Sequence, residues 1–173
     1  MDRLSLALTL VGGYALLAAA ILVGVDVLLR RLAGTSVTGA DELSGYALAI
    51  ATSWALSYAF ARKSHIRIDA LYRLLPLRTK AVLDVLAAAT MLLVAGLLIW
   101  QGAGEFLDSF AYRAVANTPF RTPLWIPQSL WLSGLCLFGA AVAATLCEAA
   151  IKLVEGDAAG VNAIGGMSKE AAD

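Results

Sequence analysis

The sequence has little charge and few of the residues that form catalytic or metal centres. Only 15% of its 173 residues are charged and 60% are hydrophobic, which is too apolar for a water-soluble domain of this length. Its single histidine excludes a bis-histidine haem. Thirteen basic residues balance thirteen acidic ones, so no net charge favours nucleic acid as a partner. The composition therefore indicates an integral membrane protein.

Cysteine is also scarce, and its spacing excludes an intrachain disulfide. Cys136 and Cys147 lie in one apolar run. If that run is a helix, they are separated by about 16 Å, far beyond the roughly 7 Å over which two Cα atoms can be bridged. We expect both cysteines to be small, buried apolar residues.

Four long apolar stretches predict transmembrane helices at about residues 4–30, 42–62, 80–104 and 126–150. Each is long enough to cross a hydrocarbon core of about 30 Å. The first is too long for the core of a signal peptide, so we expect an uncleaved membrane helix. Asp26 lies one turn before Arg30 near its end, which predicts an i,i+4 ion pair.

The second predicted helix has a small residue at every odd position from Gly45 to Ala61. A lone strand with this alternation could not satisfy its backbone groups in lipid, so we expect a helix. Helical spacing then forms two rows of small residues, one with Gly45, Ala49, Ser53 and Ser57 and the other with Ala47, Ala51, Ala55 and Ala59. Such rows allow helices to approach closely. We therefore expect this helix to be central, with a neighbour on each side.

A basic segment, residues 61–80, separates the two hydrophobic halves of the chain. Within it, apolar residues recur at the spacing of one helix face: Ile68, Leu71, Tyr72 and Leu75. This spacing predicts a short amphipathic helix at about 68–75 that lies in the membrane interface and ends at Pro76. The predicted fold is thus an all-α integral membrane protein with four transmembrane helices and an interfacial helix between the second and third.

The second half of the chain contains the longest predicted loop and a polar tail. Residues 105–125 are polar, aromatic and interrupted by proline, although the helical pattern before them continues towards Tyr112. Three tryptophans flank this loop in the manner of an interfacial aromatic belt: Trp100, Trp125 and Trp131. Pro127 suits the first turn of the last span. We assign residues 1–154 to one membrane domain and residues 155–173 to a flexible cytoplasmic tail.

The distribution of basic residues predicts the orientation of the four spans. Four spans place both termini and the basic segment on one side of the membrane. That side has nine of the thirteen basic residues, and the opposite side has four: Arg30, Arg31, Arg113 and Arg121. The positive-inside rule then places the termini in the cytoplasm.

No ionisable group lies in the middle of a predicted span, where transporters and membrane enzymes place theirs. Five carboxylates fall near helix ends, where we expect water and headgroups to solvate them: Asp26, Glu42, Asp84, Glu105 and Glu148. We therefore expect no enzymatic activity, no metal and no cofactor, and a protein that acts by packing against another. Two alternatives are a self-contained small transporter or exporter that acts as a dimer through Asp26 or Asp84, and a membrane enzyme or redox subunit.

Four short motifs, in this order, resemble one family of membrane proteins. Asp26-Val-Leu-Leu-Arg30 closes the first span, and Glu42-Leu-Ser opens the second. His65-Ile-Arg-Ile-Asp69 leads into the interfacial helix, and Trp125-Ile-Pro127 with Trp131 opens the fourth span. Over about residues 4–154 the chain is similar to the small membrane subunit of tripartite ATP-independent periplasmic (TRAP) transporters, the DctQ-like family.

The resemblance implies a non-catalytic subunit of a sodium-coupled, binding-protein-dependent symporter for organic acids in a bacterial inner membrane. Its implied partners are a large multi-span permease, where sodium coupling would occur, a periplasmic solute-binding protein and membrane lipids. The outer loops, residues 33–41 and 105–125, would face the binding protein, and His65, Arg67 and Asp69 would position the interfacial helix. Candidate structural and interface residues are Asp26, Arg30, Glu42, Gly45, Ala49, Ser53, His65, Arg67, Asp69, Trp125, Pro127 and Trp131.

Overall fold

The computed structural model describes residues 2–62, 72 and 75–165, and this part of the chain forms five α-helices. They are α1 (Asp2–Leu32), α2 (Ala40–Ala61), α3 (Leu77–Ala111), α4 (Trp125–Val154) and α5 (Ala158–Gly165). Helix α3 begins after Pro76 and continues past the predicted span to Ala111. Its 35 residues give a length of about 52 Å, which exceeds a hydrocarbon core of about 30 Å. One end of α3 therefore extends beyond the core unless the helix is strongly tilted.

Three of the four predicted spans are confirmed in length and composition. Arg3–Leu32, Leu77–Ala111 and Trp125–Val154 are each long and apolar enough to cross a membrane. Helix α2 has 22 residues, which is long enough, but with two carboxylates in its first turn and several hydroxyl-bearing side chains it is not one of these three. The count of four spans therefore stays a prediction. The predicted interfacial helix at 68–75 lies outside the described residues, apart from Tyr72 and Leu75.

The helices pack in the order α1, α2, α4, α3, and α5 lies against α3 and α4. Helix α2 thus has a neighbour on each side, as its two rows of small residues predict. On the α1 side, a Cβ added to Gly12 would approach the Cα of Ala51 to 2.9 Å. On the α4 side, a Cβ added to Gly134 would come within 2.7 Å of the backbone of Ser53. Because glycine has no Cβ, the two helix backbones can approach closely at each of these positions.

A compact apolar cluster joins α2, α3 and α4. Ala95, Phe138 and Val142 are buried at its centre, and Phe60 packs edge-on against Phe138 with 5.9 Å between the ring centroids. Towards the start of α4, the ring of Trp131 covers Gly102 of α3. These contacts fix α4 between α2 and α3.

Residues 158–165 form a packed helix where the sequence predicts a flexible tail from residue 155. The side chain of Asp157 caps this helix by accepting a hydrogen bond from the backbone N–H of Gly160 at 2.8 Å. Val161 is fully buried against Ala81 and Ala149. Contact with residues distant in the sequence stabilises a glycine-containing segment that is too short to be helical by itself.

Much of the apolar surface remains uncovered within the described part of the chain. In α1 and α3, only 11% of the most apolar stretch is buried inside the protein. Cys136 and Cys147 are free and exposed on α4, which corrects the expectation that they are buried. On a membrane helix such faces can contact lipid tails, which are as apolar as the side chains themselves. The uncovered surface therefore suits lipid or a membrane partner.

Candidate functional site

The connecting loop between α3 and α4, residues 112–124, is a folded hairpin. The N–H of Ala116 donates to the carbonyl of Thr122 at 2.9 Å, and the N–H of Leu124 donates to the carbonyl of Ala114 at 3.0 Å. Arg113 and Arg121 both adopt φ of 50°, which is uncommon for residues other than glycine. Such a backbone persists where surrounding contacts hold it in place. The connecting loop is therefore an ordered surface.

Asp26 holds the first turn, residues 33–39, against the end of α1. Its carboxylate accepts hydrogen bonds from Arg30 Nη2 at 2.6 Å, from the Ser36 hydroxyl at 2.8 Å and from the Val37 N–H at 2.6 Å. The predicted pair with Arg30 is confirmed. Asp26 is only 3% exposed, however, so protein groups and not headgroups solvate it. The carboxylate fixes the conformation of the turn.

Glu42 connects the start of α2 to the connecting loop. It is 8% exposed, and the hydroxyl of Tyr46 donates to its Oε1 at 2.9 Å. Thr118 and Thr122 of the loop face the same carboxylate. In the described part of the chain, Oε2 of Glu42 and the hydroxyl of Thr118 complete no hydrogen bond of good distance and angle, although Thr118 faces the carboxylate. The sequence predicts a solvated charge at a helix end, but the structure has a buried anchor for the loop.

Gly39 and Phe120 bring the first turn and the connecting loop into direct contact. Gly39 adopts φ of 79°, and the ring of Phe120 lies where its side chain would be. Any L-residue at this position would be strained and would collide with the ring. Together with Glu42, this contact joins the two loops into one surface, which we term the outer platform after its predicted side of the membrane: residues 33–42 and 112–124.

The aromatic and proline residues predicted at the start of α4 lie beside the outer platform. Phe110 contacts Trp125 edge-on, with 6.1 Å between the ring centroids. Pro127 is buried in the first turn of α4, where a missing N–H has no cost. Trp131 packs on α3 at Gly102. These residues hold the end of α3 against the start of α4.

The small residues predicted as one row on α2 have different environments. Ser53 is 2% exposed and lies against Gly134 of α4. Gly45 and Ala49 are exposed within the described chain. The structure thus uses the second half of this row for internal packing and leaves the first half uncovered. His65, Arg67 and Asp69 lie outside the described residues.

A second buried carboxylate network, which sequence reasoning missed, lies at the other end of the bundle. Asp84 is 4% exposed and accepts a hydrogen bond from the Tyr72 hydroxyl at 2.7 Å. The side-chain amide of Asn162 on α5 donates to the same hydroxyl at 2.7 Å and lies 3.4 Å from Asp84. Lys80 lies over the Tyr72 ring at 5.5 Å. The capping residue Asp157 is the sequence signal that could have located α5.

Comparison with known proteins identifies a family. The family model described as tripartite ATP-independent periplasmic transporters, DctQ component, matches residues 19–152. This range includes α2, α3 and the outer platform, the second part of α1 from residue 19, and α4 up to its last turn. No curated protein and no solved structure matches the chain significantly.

Proposed function

The chain belongs to the DctQ family of TRAP transporters, and we propose that it is the small, non-catalytic membrane subunit that scaffolds the large permease and helps dock the periplasmic binding protein. The match over residues 19–152 carries this proposal, because it spans the membrane helices and the loops between them. As proposed, the complex imports an organic acid by sodium-coupled symport across a bacterial inner membrane. Sodium binds to the large subunit, and the small subunit holds no cofactor.

The uncovered apolar helices support the scaffold role. Helix α1 packs on α2 along one side, and α3 packs on α4 and α5, so each leaves most of its surface open within the described chain. A helix that spans a membrane with so few internal contacts needs lipid or a second protein around it. Gly45 and Ala49 on α2 add a place where another helix could approach closely. We assign these faces to the large permease and to lipid.

The outer platform supports the docking role. Its two loops are fixed by Asp26, Glu42 and the contact of Gly39 with Phe120, so the surface is already formed before a partner binds. Preformed surfaces lose less conformational entropy on binding. The exposed arginines of the platform, Arg113 and Arg121, give it groups that can pair with carboxylates on a soluble partner.

The buried carboxylates support a structural and not a transport role. Asp26, Glu42 and Asp84 each accept a hydrogen bond from a residue of this chain. A carboxylate that carried a proton or an ion would have to exchange these partners during each cycle. We therefore assign them to the fold.

Co-purification tests this function. The tagged chain, expressed with the large permease and the binding protein of its proposed transporter, should retain the permease after detergent extraction. At saturating binding protein, which offsets any weaker docking, Asp26→Asn and Asp84→Asn should leave uptake per purified complex unchanged, because neither carboxylate moves substrate. Strong solute uptake by this chain in liposomes without the permease, abolished by either substitution, would instead establish a self-contained transporter.

A further inference from the structure

A cleft opens between α1 and α4 at the end of the bundle where α1 begins and α4 ends. Helices α1 and α4 both pack on α2, but in the described chain they share no extensive contact with each other. The space between them has a volume of about 180 Å³. Its lining includes Leu4, Ser5, Phe60, Leu137, Ala141 and Glu148. This terminal cleft lies far from the outer platform.

The dimensions of the terminal cleft match part of one lipid chain. It extends along α4 from Leu137 to Glu148, and this helical distance is about 16 Å, close to half of a hydrocarbon core of about 30 Å. Its volume of about 180 Å³ is comparable to apolar cavities of about 150 Å³ that accept a benzene ring. It can therefore hold several methylene groups of a chain that enters from one leaflet.

The chemistry of the cleft changes along its length. Towards the bilayer centre it is lined by apolar side chains, among them Leu137 and Ala141. Towards its mouth it has polar groups, including Ser5, Thr145 and Glu148. An amphiphile with an apolar chain and a polar head fits this gradient.

Basic residues lie next to lining residues of the mouth, in the sequence or by an ion pair. Arg3 and Arg62 are exposed and adjoin the lining residues Leu4 and Ala61 in the sequence. Lys152 lies 4.0 Å from Glu148, so the one acidic side chain in the lining already has a basic neighbour. Arg62 also stacks on the Tyr58 ring at 5.4 Å, which holds its guanidinium at the end of α2. Guanidinium groups are well suited to phosphate.

We propose that the terminal cleft is a binding site for an anionic phospholipid, with one acyl chain between α1 and α4 and the phosphate beside Arg62 and Lys152. This lipid site is additional to the scaffold function. It rests on the proposed function in one respect only, which is the assignment of the lipid to the cytoplasmic leaflet. The bound chain takes the place of a helix contact that α1 and α4 do not make. It stabilises the position of α1, whose packing in the described chain is otherwise against α2.

Native mass spectrometry of the full chain tests this site. The protein is released from nanodiscs with equal amounts of phosphatidylglycerol and phosphatidylcholine, and we expect one retained phosphatidylglycerol per chain. Ala144→Leu places a larger side chain in the lining and should lower retention about tenfold, as expected when roughly two methylene groups lose apolar contact. Ala141→Leu is an independent variant with the same expected effect, and circular dichroism confirms that each variant is folded.

Ala87→Leu is the matched control, because Ala87 lines an open groove on the outer surface of α3, and it should leave retention unchanged. Arg62→Gln with Lys152→Gln should remove the preference for phosphatidylglycerol over phosphatidylcholine.

Equal retention in Ala144→Leu, or no preference in the unmodified chain, would overturn the proposal. So would loss of the lipid when the permease binds, because the cleft would then be a protein interface. The assay needs neither substrate nor transport, so its failure leaves the subunit function untouched.

Discussion

The indole Nε1 of Trp54 on α2 donates a hydrogen bond to the backbone carbonyl of Leu130 on α4, 3.0 Å away. The same nitrogen lies 3.2 Å from the hydroxyl of Ser133. Beside this contact, Gly134 lets the backbone of Ser53 approach closely. Helix α2 is therefore joined to α4 by a polar contact from Trp54 and by close packing at Ser53, which belongs to one row of small residues.

Removal of this indole donor should loosen the α2 and α4 pair. Trp54→Phe keeps an aromatic ring and loses the hydrogen bond, so we expect a loss of about 1 kcal/mol in the free energy of unfolding. Unfolding in mixed detergent micelles measures the change. Trp100→Phe is the control, because Trp100 is 74% exposed on α3. An equal effect of both substitutions would show that the contact adds no stability.

Two adjacent glycines on α1 give a sharper test of the helix packing. A Cβ at Gly12 would meet Ala51 of α2, whereas a Cβ at Gly13 would meet no atom within 4 Å. Gly12→Ala should destabilise the protein by about 1–3 kcal/mol through overpacking. Gly13→Ala should be neutral or stabilising by up to about 1 kcal/mol, because alanine favours the helix. Thermal unfolding compares them, and similar melting temperatures would argue against close packing of α1 on α2.

Glu42 should control the order of the connecting loop. Glu42→Ala removes the acceptor for Tyr46 and the carboxylate that faces Thr118 and Thr122. Amide hydrogen exchange at Ala116 and Leu124 should then be about tenfold faster, since the loop opens at lower free energy. Helix α4 should exchange as before. Glu105→Ala, at an exposed position, is the control. Unchanged hydrogen-exchange protection of the connecting loop in Glu42→Ala would show that Glu42 does not anchor the loop.

Asn162 should hold α5 against the bundle. Asn162→Ala removes the donor to the Tyr72 hydroxyl but leaves the bond from Tyr72 to Asp84. We expect amide exchange in residues 158–165 to be about fivefold faster, which corresponds to about 1 kcal/mol for one hydrogen bond. Asn117→Ala, at an exposed position in the connecting loop, is the control. If the hydrogen-exchange protection of α5 does not change, the burial of Val161 holds this helix in place without the side-chain amide of Asn162.

Labelling of single cysteines tests the four spans and their orientation. With Cys136 and Cys147 replaced, an impermeant maleimide added to intact cells should label Thr35→Cys and Arg121→Cys. It should not label Arg62→Cys or Glu155→Cys until the membrane is opened, because the positive-inside rule places these two positions in the cytoplasm. External labelling at both Thr35→Cys and Arg62→Cys would mean that α2 does not cross the membrane, and labelling at Arg62→Cys without Thr35→Cys would mean the inverted orientation.

Local patterns in the sequence predict the elements, and contacts between distant residues determine the site. Apolar length predicts α1, α3 and α4, and the rows of small residues predict that α2 is central. The ion pair of Asp26 with Arg30 is also readable, because its partners are one helical turn apart. The sequence cannot show that Glu42 faces Thr118, because only the packing of α2, α3 and α4 brings these two residues close together.

The environments of the carboxylates illustrate the same limit. Position near a helix end predicts solvation by water and headgroups, but Asp26, Glu42 and Asp84 are all buried by loops or by α5. Helix α5 was missed because Gly160 and a short length oppose helix formation, and the burial of Val161 stabilises it. In each case a tertiary contact determines the outcome that local sequence leaves open.

The central claim, that this chain is a scaffold and docking subunit without a transport site of its own, is tested most directly by reconstituted uptake. Liposomes are prepared with this chain, with the large permease, or with both, and the binding protein, organic acid and a sodium gradient are added to each. The account predicts uptake with both membrane subunits and none with this chain by itself. Uptake by this chain in the absence of the permease, or full uptake by the permease in its absence, would contradict it.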